Sequence, residues 1–80
     1  VGMDAAMETS RLGRYVLRER RRLGLSQSQL ADQAGLPQAA ISRIERGHDS
    51  ISLATARGLA RGLGVALGVI GVLTEGDQDG

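Results

Sequence analysis

Cysteine, lysine, phenylalanine and tryptophan are absent from the 80 residues, and proline, histidine and tyrosine occur once each. Without cysteine, neither a disulfide nor a thiolate-held metal can staple the chain. His48 alone makes no metal site, so no metal is expected. A chain this short sits near the lower limit of a self-sufficient core. It must rely on compact helix packing, on a partner subunit, or on both. The same inventory offers no nucleophile–base pair, no glycine-rich phosphate loop and no metal cluster, so neither catalysis nor a cofactor is expected. Tyr15, the single aromatic, is no stacking platform for RNA or single strands and reads as a packing residue. No run approaches the ~20 apolar residues of a membrane span, and no signal-peptide pattern heads the sequence. A soluble, cytoplasmic chain with no membrane partner is the expectation.

What is present is arginine. All ten basic residues are arginines and all lie between Arg11 and Arg61. Against them, residues 11–64 hold four acids, Glu19, Asp32, Glu45 and Asp49, which leaves the body at +6. The ends carry Asp4, Glu8, Glu75, Asp77 and Asp79, five negative charges that bring the whole to +1. A basic body with acidic ends suits a polyanionic partner. Arginines that only solvate helix faces would give the same count.

Punctuation along the chain divides it into helices. Residues 1–9 lack periodicity and read as a flexible arm. From Ser10, Leu12, Val16, Arg20 and Leu23 recur on one face of a first helix, which Gly24 ends. Ser26 opens a second. With Gln29 three residues on, it forms the S-x-x-Q capping box, in which each side chain satisfies the other residue's free N–H. Leu30, Ala31 and Ala34 line the buried side of that helix, and Gly35 stops it. Pro37 suits the first turn of a third helix, where an N–H has no internal partner. Ile41 and Ile44 form that helix's narrow apolar seam. Gln38, Ala39, Ser42, Arg43 and Arg46 face outward, and Gly47 closes it.

After the loop His48 to Ile51, Ser52 caps a fourth helix through Leu63, with Leu53, Ala56, Leu59, Ala60 and Leu63 as its apolar face. Gly58 and Gly62 each cost that helix about 1 kcal/mol relative to alanine. Their spacing of four fits a close backbone approach, or mere tolerance. Val65 to Leu73, broken by Gly68 and Gly71, reads equally as a short strand or a short buried helix. Residues 74–80 read as an acidic disordered tail, which makes 10–73 the folded domain. The expected class is all-α, with five elements of which the last is either helix or strand.

Two short helices joined by a tight turn, the second exposed and basic, describe a helix-turn-helix. The residues "LGRYVLRERRRLGLSQSQLADQAG", "AISRIERG" and "SLATARGLARGLGV" resemble the phage-repressor and Cro-like family of DNA-binding regulators, over roughly residues 11–65. The resemblance implies that helix three enters the major groove of double-stranded DNA. Gln38 would read an adenine edge, Ala39 would meet a thymine methyl, and Arg43 would pair with guanine or fall back on phosphate. Gln27, at an anion-favouring helix start, implies a phosphate contact. Ser42 and Arg46 are assigned to the DNA backbone, and His48 to a phosphate or a solvated turn. Small size for fit explains Ala39 and Ser42 equally well. Arg20 and Glu45 match a pair that in this family forms an internal salt bridge. Pro37 departs from the pattern, which more often places a capping serine or threonine there.

One such module makes few base contacts, so specific binding calls for two half-sites roughly 34 Å apart. The bare apolar stretch suits burial against a twin. A homodimer through Leu63, Val65, Leu67, Val69, Ile70 and Leu73, bound to a palindromic operator, is expected. The C-terminal order also resembles, more weakly, antitoxins that repress their own operon while holding a toxin, in which a terminal strand pairs across the dimer. A scaffold that binds a protein partner and has little DNA affinity is a further alternative.

Overall fold

A computed structural model describes residues 10–48 and 50–78, with side chains through Thr74. The arm 1–9 and residues 79–80 lie outside the described residues. Among the described residues five α-helices follow one another: α1 Arg11–Arg22, α2 Gln27–Ala34, α3 Gln38–Glu45, α4 Leu53–Leu63 and α5 Leu67–Gln78. The fold is all-α. Among the described residues, no helix is long and apolar enough to cross a membrane.

The helix starts follow local chemistry. The Ser10 hydroxyl accepts from Gly13 N–H at 2.9 Å, and the Ser52 hydroxyl accepts from Thr55 N–H at 3.1 Å. Each bond satisfies a donor that the helix itself leaves unpaired. At the end of α2, Leu36 N–H reaches back to Ala31 O at 2.9 Å and Gly35 N–H to Asp32 O at 3.3 Å. This Schellman closure needs Gly35 at φ 68°, a left-handed value that glycine adopts without steric cost. The abrupt stop leaves only Leu36 and Pro37 beyond that glycine before α3 begins.

The core is small and aliphatic. Leu12 and Val16 of α1, Leu30 and Ala34 of α2, Ile41 and Ile44 of α3, and Leu59 and Leu63 of α4 are buried together. α2 and α4 approach each other closely. A Cβ built on Gly58 would fall 2.5 Å from the Ala34 carbonyl oxygen, and one on Gly62 would fall 3.0 Å from Ala34 Cβ. The four-residue glycine spacing therefore marks a close backbone approach. Tyr15 is half-buried and packs against this core.

Three sequence expectations change. Leu23, placed on the inner face of the first helix, is 41% exposed, and Leu53, placed on that of the fourth, is 58% exposed. Both stand at helix ends, where the chain is already leaving its packed face. The stretch 65–73 is helical from Leu67, which removes the strand alternative. A strand would put Ile70 and Leu73 on opposite faces, but both pack against the same core. Spacing of three to four places Ile70 and Leu73 together against the core, which is a helical period. Finally, α5 runs on to Gln78, so the boundary expected at 73 falls inside a helix and 74–78 is not a disordered tail.

Candidate nucleic-acid interface

α2 and α3 are stacked across the glycine-stopped turn, and each is held at its start by different means. The capping box at α2 forms in both directions: Gln29 N–H donates to the Ser26 hydroxyl at 3.0 Å, and Ser26 N–H donates to Gln29 Oε1 at 2.8 Å. Pro37 is itself the N-cap of α3, one residue earlier than the first-turn position expected, and has no side chain to offer the orphan N–H groups. Two bonds hold that start instead. Ala40 N–H donates to Pro37 O at 3.0 Å, and Gln38 Nε2 donates to Gln27 Oε1 at 2.7 Å. The second bond ties the two helix starts directly to each other.

Behind this bridge lies an ion pair. Arg20 of α1 donates Nε to Glu45 Oε2 at 2.6 Å and Nη2 to Oε1 at 3.0 Å, a bidentate geometry. Its Nη1 donates to Leu25 O at 2.8 Å. The two side chains are 13% and 6% exposed. The hydrogen bond to Glu45 holds the Arg20 guanidinium above its ordinary pKa; burial opposes the shift, and the Glu45 charge adds to it. Gln27 Nε2 donates to the same carboxylate at 3.0 Å. A continuous chain of hydrogen bonds thus runs Arg20, Glu45, Gln27, Gln38, from half-buried α1 to the exposed start of α3.

The residues singled out from sequence fall as follows. Gln38, Ala39, Arg43, Arg46 and His48 are exposed, and Ser42 is half-buried beside them. Ile41 and Ile44 point the opposite way, into the core. Pro37, Ala39, Arg43, His48, Ser52 and Thr55 line an open groove that continues from α3 to the start of α4. His48 follows the α3 stop, its N–H donating to Arg43 O at 3.0 Å. Gln27 is half-buried and bonded to protein on both sides of its amide. Sequence reasoning assigned it a phosphate and missed both partners, which lie 18 and 11 residues away with no periodic signal to announce them.

The residues expected at a dimer interface divide. Leu63 and Ile70 are buried in the protomer's own core and supply no surface. Val65 and Leu73 are half-buried against that core. Leu67 and Val69 are exposed, and Val72, not singled out from sequence, is 63% exposed one turn on from Val69. Its place three residues after Val69 was the available signal.

Two short helices closed by a glycine turn, the second showing glutamine, alanine and arginine outward, make a module for the edge of double-stranded DNA. A helix-turn-helix family model matches residues 17–70, well over half the chain. The chain belongs to the Cro-type helix-turn-helix family and is a DNA-binding transcription regulator. No curated protein matches it significantly.

Proposed function

We propose that this regulator is a repressor without enzymatic activity that binds a palindromic operator as a homodimer, with one α3 in each of two successive major grooves. The observation that carries the reading is the Gln27–Gln38 bridge. It braces an exposed glutamine at the first position of α3, while Arg43 stands exposed further along the same helix. Gln38 meets adenine and Ala39 a neighbouring thymine methyl, and Arg43 takes guanine. Gln27, Ser42, Arg46 and His48 face the phosphates, which position the module without reading sequence. The exposed Val69 and Val72, one turn apart on α5, join the two copies with Leu67 at the helix start, since exposed apolar side chains favour burial against a twin.

The antitoxin-type alternative rests on the C-terminal order of residues; such antitoxins pair a terminal strand across the dimer, whereas residues 67–78 here are helical, which weighs against it. Selection of bound duplexes from a randomised pool tests the main reading: a two-fold symmetric consensus is expected. Binding measured from low to high salt then separates it from a protein-binding scaffold. Neutralising several phosphates makes log K fall steeply with log salt. A pool that yields no consensus, or an affinity indifferent to salt, defeats the proposal.

A further inference from the structure

We propose that the acidic C-terminal end of α5 clasps an arginine face on α1, and that the clasp withholds this face from the phosphates of non-target DNA. It goes beyond the repressor and dimer readings and depends on neither. The first ground is where the arginines lie. Arg11, Arg14, Arg18, Arg21 and Arg22 are all exposed on α1, and their spacing puts them on the side away from Leu12 and Val16. Arg20 is the exception. About two and a half turns separate it from Arg11, so it leaves α1 on the opposite side, toward Glu45 of α3. Five arginines thus crowd one face of α1, against the two, Arg43 and Arg46, exposed at α3. Glu19 pairs with Arg22 at 2.8 Å and stands 3.7 Å from Arg18, toward the C-terminal half of this face.

The second ground is the sign of the charge at two helix ends. A helix start is positive and favours acids, whereas a helix end is negative and favours bases. α1 has this reversed, since Arg11 and Arg14 stand in its first turn and no acid does. So does α5. Glu75 and Asp77 stand in its last turn without a base, and Asp79 follows in the sequence. Each end is unfavourable alone, and each supplies the charge that the other lacks. The fold brings them together: α1 and α5 pack against each other, and Arg11, Arg14, Tyr15 and Arg18 share a groove with Leu73 of α5. The Arg18 guanidinium lies 5.7 Å from the centre of the Tyr15 ring, a cation–π contact that holds it at the groove. Asp77 follows Leu73 by about 6 Å along the helix axis. An uncovered arginine face attracts duplex of any sequence and so lowers the ratio of specific to non-specific binding. A tethered acidic end competes with those phosphates at a high effective concentration, through surface pairs that are weak one by one and screened by salt.

The experiment is a charge cycle on the full chain. One variant neutralises the acids (Glu75→Gln, Asp77→Asn and Asp79→Asn), a second the groove arginines (Arg11→Gln, Arg14→Gln and Arg18→Gln), and a third carries both sets. Melting in low salt is read without DNA. Neutralising the acids should lower Tm by about 4 °C in the otherwise native chain. In the arginine-neutralised chain it should raise Tm, because only the unfavourable helix end then remains. Binding to a scrambled duplex is read next. Neutralising the acids should strengthen it roughly tenfold in low salt and steepen the salt slope by about two, as for two further phosphates engaged. In the arginine-neutralised chain the gain should be no more than about twofold. A rise in Tm in both backgrounds shows that the two ends do not meet and overturns the clasp. Equal gains in duplex affinity in both backgrounds assign the effect to net charge and overturn the withheld face. A loss of Tm that fades on dilution places the acids on a second copy, and overturns the assignment to the chain's own α5. Neither readout needs an operator, so failure of the palindrome reading leaves this test intact.

Discussion

Gly58 lies against the carbonyl of Ala34 so closely that a Cβ on it would fall 2.5 Å from that oxygen and 3.3 Å from Leu36 Cγ. The oxygen belongs to backbone at the end of α2 and cannot swing aside as a side chain could. In a helix interior, Gly→Ala ordinarily gains about 1 kcal/mol. Here α4 must back away from α2, an overpacking cost of typically 1–3 kcal/mol, and the net effect of Gly58→Ala should be loss of stability. Gly68, in α5, meets nothing within 4 Å, so Gly68→Ala should stabilise by up to about 1 kcal/mol. Urea unfolding of the two variants checks the pair; equal effects of one sign would contradict the packing account.

Arg20 and Arg22 are two residues apart, and both pair with glutamate, but in different surroundings. The Arg20–Glu45 side chains are 13% and 6% exposed, whereas Arg22 is 62% exposed beside Glu19. Removing one member of a buried pair strands the other, at a cost on the order of 3 kcal/mol for Glu45→Ala. Arg22→Ala should move stability by no more than about 0.5 kcal/mol. A shift in denaturant midpoint for Glu45→Ala as small as that for Arg22→Ala would show that water already screens the inner pair.

Arg43 in the last turn of α3 and Arg46 at its C-cap are both exposed and should separate by readout. For Arg43→Ala, loss of about 1–3 kcal/mol with relaxed preference at one base pair is expected, as for a base contact. Arg46→Ala should weaken all sequences alike and reduce the salt slope by about one, as for a phosphate contact. Anisotropy titrations on operator and scrambled duplexes at several salt concentrations decide this.

Val72 and Ile70 test the association surface against the core. Val72 is 63% exposed and Ile70 is fully buried. Val72→Asp should therefore abolish the proposed dimer, as seen by light scattering beside wild type, with the melting transition of the dilute protein retained. Ile70→Asp should unfold the chain, because a lone carboxylate has no partner there. A Val72→Asp chain that still scatters as a dimer would move the interface elsewhere.

Some of this was legible residue by residue. Ser10, Ser26 with Gln29, and Ser52 act on N–H groups within three residues, and Gly35 acts on carbonyls within four. Such short-range chemistry leaves its signature in the chain itself. The outward set Gln38, Ala39 and Arg43 followed because Ile41 and Ile44 define the inner side of so short a helix. Leu23 and Leu53 misled, because apolar identity at a helix end does not say whether the packed face still extends that far.

By itself, then, the order of residues determined where α1, α2 and α4 begin and end, where α3 stops and which side of α3 is turned outward, since caps, stops and periodicity are local. Tertiary structure alone decided that 67–78 is a helix, because valine and glycine leave local preference undecided and the core takes up Ile70 and Leu73 together, three residues apart. It alone also joined Glu45 to Gln27 and Gln27 to Gln38, across 18 and 11 residues. Those bonds exist only once α1, α2 and both ends of α3 have been packed together, and no spacing in the chain encodes the angle at which they meet.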